Sequence, residues 1–263
     1  MFEDLNSSQK ERLVRLEQRI NPLSYNKFIE ILNLDINDIL VRFEGAADKH
    51  VRAEEDNITN EIAGNLLSLG YDEVSEQTKK NGAVDLSVKS SGFSWIAEAK
   101  LDYSCNKVFE GLLQLITRYV KRDKKAGFLI YCQRPGAIIF FNQFQNYLTE
   151  QKWKNSKTIN KDIVNLQKII NCFSDIKISK VEEQNFQLTV KKPSGAEIDI
   201  QCYCLDIAHD PVDSSGRNAK KHRVGNAKIV LERVFIQWKE SGFEELDHIQ
   251  LKNNLGRYLG IDD

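Results

Sequence analysis

Apolar positions along the chain fall first at helical spacing, then at strand spacing, then at helical spacing again. Leu13, Leu16 and Ile20 repeat every three to four residues until Asn21-Pro22 breaks the run. A second helical stretch runs from Phe28 to Leu40. A longer helix is predicted over 52–69, with Ile58, Ile62, Leu66 and Leu69 as its stripe and Gly70 as its stop. The period then shortens to two. Strands are predicted over 72–78, around Val84, Leu86 and Val88, which alternate with Asp85 and Ser87, and over 93–101. Ser90-Ser91-Gly92 is the turn between the last two. Helical spacing returns over 105–121, and Gly127–Cys132 is a continuous apolar run suited to a buried central strand.

Beyond this point, Ile138–Phe141 either extends the sheet or starts a side element, and 144–152 and 163–173 read as helices. Phe186–Val190 and Ala196–Leu205 read as a hairpin around Pro193-Ser194-Gly195. Residues 209–226 are expected to form a polar loop, followed by helices over 227–239 and 246–259. The implied fold class is α/β. An N-terminal helical segment (1–50) precedes a helix–strand–strand–strand–helix–strand core (51–142). A C-terminal α+β extension (143–263) packs on that core.

Composition narrows the class. The chain has 263 residues, 41% hydrophobic and 29% charged, enough to bury a sizeable core. No apolar run approaches the ~20 residues of a membrane helix, and the start, Met1-Phe2-Glu3-Asp4, is acidic, unlike a secretory signal. A cytoplasmic protein with no membrane contact is the expectation. Five scattered cysteines are not a disulfide framework. Cys202 and Cys204 share a strand face. With His209 and His222 they could supply zinc ligands, or they are two buried thiols. Net charge is -1, but acids dominate residues 1–88 and bases dominate 89–134. Such a block attracts phosphate.

The candidate chemistry lies in Gly82-Ala83-Val84-Asp85-Leu86 and Ile96-Ala97-Glu98-Ala99-Lys100. Side chains two apart on a strand share a face, so Glu98 and Lys100 point together, and a hairpin through Gly92 lets Asp85 face Glu98. Two carboxylates can share Mg²⁺ (or Mn²⁺), which prefers oxygen ligands, while the lysine orients the attacking water or stabilises charge. Glu61, on the preceding helix, offers a third acid, directly or through water; Glu54 and Glu55 are the rivals. The alternative is an exposed, salt-bridged hairpin.

A helix acid, then Asp on the second strand and Glu-x-Lys on the third, resembles the PD-(D/E)XK nuclease superfamily, over roughly residues 52–133. The resemblance implies a restriction-endonuclease-like core and Mg²⁺-dependent hydrolysis of DNA, with RNA left open. It implies metal binding by Asp85, Glu98 and the Ala99 backbone carbonyl, assistance by Lys100, and Glu61 as the helix acid. The proline of the family's name is absent, since Val84 precedes Asp85. RecB-type members carry Gln-x-x-x-Tyr on the next helix; here Tyr119 follows Gln114 one residue too late. Gln114 is nonetheless a catalytic candidate, on a helical face shared with Lys107, Arg118 and Lys121 as nucleic-acid contacts.

A second basic stretch, with Arg217, Lys220, Lys221 and Arg223 and no acid from Ser214 to Leu231, is a candidate phosphate grip or a plain surface loop. By analogy, a defence endonuclease without its own motor works with an ATPase or sensor protein, or as a homodimer. The apolar N-terminal segment is the candidate docking surface, or else it covers its own core. The rival function is a catalytically silent nuclease fold that binds nucleic acid or a protein partner.

Overall fold

The computed structural model describes residues 6–75, 78–79, 83–156, 163–210 and 219–261. Four helices open the chain: α1 (Ser7–Ile20), α2 (Tyr25–Glu44), the single turn α3 (Ala47–His50) and α4 (Glu55–Ser68). Strands β1 (Glu73–Ser75), β2 (Thr78–Lys79), β3 (Ala83–Val84), β4 (Leu86–Ser90) and β5 (Phe93–Leu101) follow. Helix α5 (Cys105–Gln114) continues as a π-turn over Leu115–Tyr119 and leads to β6 (Lys125–Cys132). Then come α6 (Ala137–Thr149), α7 (Ile163–Phe173), β7 (Lys177–Ser179), β8 (Asn185–Lys191), β9 (Glu197–Asp206), α8 (Ala219–Glu240) and α9 (His248–Leu259).

The architecture is α/β: a seven-stranded mixed sheet in the order β1-β4-β5-β6-β9-β8-β7, flanked by helices. β1, β4 and β5 are antiparallel, β5, β6 and β9 run parallel, and β9, β8 and β7 are antiparallel again. The β4–β5 hairpin turns on Ser91 (φ 47°) and Gly92 (φ 79°), the two positive-φ residues that a tight hairpin of matching twist requires. Alternation then sorts β5 between two layers. Trp95, Ala97, Ala99 and Leu101 pack with α2 and α4, and Ile96 packs with α5 and α6.

Several sequence expectations change. Ile138–Phe141 belongs to helix α6, not to the sheet. Of the polar loop expected over 209–226, residues 211–218, Arg217 among them, lie outside the described residues, and 219–226 are helical because Ala219 opens α8; Lys220, Lys221 and Arg223 therefore lie on a helix. The sheet continues past residue 142, with β9 paired directly to β6. In the N-terminal segment Phe28, Ile29, Leu32, Ile36 and Leu40 are buried against the sheet, so α2 covers its own core rather than waiting for a partner. Leu13 and Leu16 of α1 stay exposed. Buried Asp35 ties α1 to α2, since it accepts from Arg19 at 2.6 and 2.8 Å and from the Tyr71 hydroxyl at 2.7 Å. Among the described residues no helix is long and apolar enough to cross a membrane.

Candidate active site

The β4–β5 register places Leu86 opposite Ala97, so the next pair along is Asp85 and Glu98. The backbone bends at Asp85, and β4 begins only at Leu86. Its side chain takes over where the ladder stops: Oδ2 accepts the Ala99 N–H at 2.8 Å. Two residues further, Glu55 Oε2 accepts the Leu101 N–H at 2.7 Å. Two carboxylates thus close the edge of β5 in place of a strand. A strand residue directs its N–H and C=O to the same side, so the Ala99 carbonyl also faces this edge.

Glu98 and Lys100 project on the α5 side. Lys100 Nζ lies 2.8 Å from Glu55 Oε1, 3.1 Å from Glu98 Oε1 and 3.6 Å from Asp85 Oδ2. Its stem crosses α5 at Gly111, where a Cβ would collide with Lys100 Cγ. A glycine in mid-helix costs about 1 kcal/mol against alanine; here it makes room for the lysine.

The charges are strongly coupled. Burial pushes the Glu98 carboxyl up to about 8, Asp85 adds to the rise and Lys100 opposes it. Burial also raises Asp85, against Lys100 and the Ala99 N–H. Burial alone would lower the Lys100 ammonium, but Asp85, Glu98 and Glu55 together hold it above the usual lysine range. The lysine is therefore charged at neutral pH and cannot serve as a base in this state.

Glu98 Oε2 is buried and has no hydrogen-bond partner. A buried carboxylate oxygen left unpaired is costly, and a cation at that atom removes the cost. Among the described residues, no three His, Cys, Asp or Glu side chains group as a metal site by themselves. Asp85, Glu98 and the Ala99 carbonyl are the hard-oxygen donors at this edge that could hold a Mg²⁺ keeping several of its waters.

Glu61 does not join the cluster. It is six residues beyond Glu55, about 9 Å along the axis and about a third of a turn around it, and its Oε2 lies 3.6 Å from His50 Nδ1. The helix acid that arrives is Glu55, because the first residue of α4 lies at the β5 edge, within hydrogen-bond reach of Lys100 and the Leu101 N–H. The run Glu54-Glu55-Asp56 at a helix start was the available signal. Gln114 is half-buried and precedes the π-turn that ends at Tyr119. The turn is closed by Val120 N–H to the Leu115 carbonyl, a five-residue step. One π-turn absorbs the extra residue, returning Tyr119 to the Gln114 side as an α-turn would for a spacing of four. Burial and the neighbouring Glu98 charge raise the Tyr119 hydroxyl. Spacing alone gave no sign of this.

Of the proposed nucleic-acid contacts, Lys107 pairs with Glu110 at 2.7 Å and Arg118 is exposed. Lys121 lies beyond the helix, so it does not share their helical face. The basic start of α8 meets the segment before α4 through Arg52, which donates to the Lys221 carbonyl at 3.2 Å and packs on Gly225. The zinc grouping does not form. Cys202 and Cys204 are core thiols, and the His209 and His222 rings pair with each other at 4.9 Å. A polar group that sequence reading missed lies beside the site: buried Asp102 holds Arg134 at 2.9 Å and buried Arg233 at 3.4 Å. Comparisons with protein-family models, with curated proteins and with solved structures find no match.

Proposed function

We propose that the chain is a divalent-cation-dependent nuclease that hydrolyses phosphodiester bonds of DNA, on a core resembling the PD-(D/E)XK superfamily. The observation that carries this reading is the meeting of Glu55, Asp85 and Glu98 on Lys100 at the edge of β5, with Glu98 buried and its Oε2 unpaired. The element order from α4 to β6 and the π-turn between Gln114 and Tyr119 add support.

Asp85, Glu98 and the Ala99 carbonyl would hold Mg²⁺ or Mn²⁺. When bound, the ion supplies electrophilic pull on a phosphoryl oxygen and offsets the negative charge that builds there. Lys100 remains protonated among three carboxylates, so its part is to donate to the phosphate and orient water. Glu55 fixes the ammonium and the end of β5 at once, which holds that donor in place before substrate arrives. Tyr119, whose hydroxyl feels the Glu98 charge, would serve as a secondary donor, with Gln114 one turn before it as a second. The basic start of α8 is a suitable grip for flanking phosphates.

The test is incubation of the full chain with circular and linear DNA, with and without Mg²⁺. Cleavage should need the ion and disappear in Glu98→Ala and Lys100→Ala. Full activity in EDTA, or in folded Lys100→Ala protein, sinks the assignment.

A further inference from the structure

A cleft of about 570 Å³ adjoins the cluster, between the start of α4, the end of β5 and α8. It shares Glu55 and Leu101 with the site. Its cations are Arg52, Lys228 and Arg233, and the carboxylates Glu54, Glu55, Asp56 and Glu232 line it with them, Glu232 lying 3.9 Å from Lys228. A phosphate entering here would meet carboxylates as often as cations. A nucleobase edge is different, because it carries donors and acceptors side by side. Carboxylates accept from exocyclic amino groups, and arginine donates to ring nitrogens and carbonyl oxygens.

The rest of the lining suits a base as well. Leu101, Tyr103 and Ile229 add apolar surface. The Arg233 guanidinium lies 3.8 Å from the Tyr103 ring centroid, which fixes that ring, and buried Arg233 Nε has no hydrogen-bond partner. The volume is that of a small-ligand site and cannot admit a duplex. We propose that this cleft receives one unstacked base of a single-stranded nucleic acid whose phosphate lies at the Glu98–Lys100 site. The inference rests on the nuclease reading and names its substrate as a single or locally unpaired strand.

The experiment measures binding of the full chain in EDTA, by fluorescence anisotropy at fixed salt, to three labelled DNAs of equal length: a single strand, its duplex, and an abasic backbone with the same phosphates. Base stacking and edge contacts should make the single strand bind at least about tenfold tighter than the abasic backbone. The duplex should also bind more weakly than the single strand. Glu232→Ala supplies an opposite-sign control, since this side chain is half-exposed and the ion pair it gives up, to Lys228 at 3.9 Å, is a surface contact of the kind that contributes little to stability. If a base enters, the variant binds the base-bearing strand several-fold more weakly. If a phosphate enters, losing a carboxylate strengthens binding of both strands, and the proposal is overturned. Equal affinity for the abasic and base-bearing strands, alongside Mg²⁺-dependent cleavage, removes this inference and leaves the nuclease standing. No binding to any of the three DNAs, with no cleavage, removes both.

Discussion

Replacing Glu98 by Gln should stabilise the protein while abolishing its chemistry. The carboxyl ionises near 4.5 when unfolded and near 8 when folded. Between those values the folded chain holds one more proton than the unfolded chain, so stability falls as pH rises, by about 1.4 kcal/mol per pH unit. The full rise corresponds to about 5 kcal/mol, and relaxation of Lys100 with some entry of water should reduce it to about 2–3 kcal/mol. Glutamine keeps the shape and carries no charge, so it removes this slope. The assay is urea unfolding of wild type and Glu98→Gln from pH 5 to pH 9. The variant should gain on wild type progressively up to about pH 8, with little difference near pH 5. Mg²⁺ at pH 8 should recover wild-type stability by binding the folded state, and should leave the variant unchanged. Parallel curves for the two proteins, or a wild type that gains on the variant as pH rises, would refute the reasoning.

Gly111→Ala should lower cleavage by at least about tenfold and cost about 1–3 kcal/mol in unfolding experiments, because its Cβ displaces the Lys100 stem; unchanged turnover would show that the lysine's path is not required. Glu55→Gln should impair cleavage strongly, whereas Glu61→Ala should leave it near wild type, and kinetics on the two variants separate them. Deleting residues 1–45 should unfold the chain, read by circular dichroism, because α2 buries Phe28, Leu32, Ile36 and Ile39 against the sheet; a truncated protein that stays folded would restore the N-terminal segment as a docking module.

What the sequence determined by itself was whatever depends on local period. Two-residue alternation placed Glu98 and Lys100 on one face, and the turn legible at Ser90-Ser91-Gly92 allowed a hairpin facing Asp85 with Glu98, whose register the structure supplies. The stripe of Ile58, Ile62 and Leu66 similarly marked α4 as a packed helix. The choice among Glu54, Glu55 and Glu61 was not legible in this way. It depends on which turn of α4 meets the open edge of β5, a distance between elements that no spacing encodes. The π-turn after Gln114 was equally hidden, since apolar residues keep helical spacing through 105–121 and nothing in that spacing marks where one turn widens by a residue. Residues 219–226 misled because lysine and arginine solvate a helix as readily as a loop. Tertiary structure also decided the role of α2, because an apolar stripe buries equally well against its own sheet or a partner; here the open face of Trp95, Ala97 and Leu129 was its nearest cover.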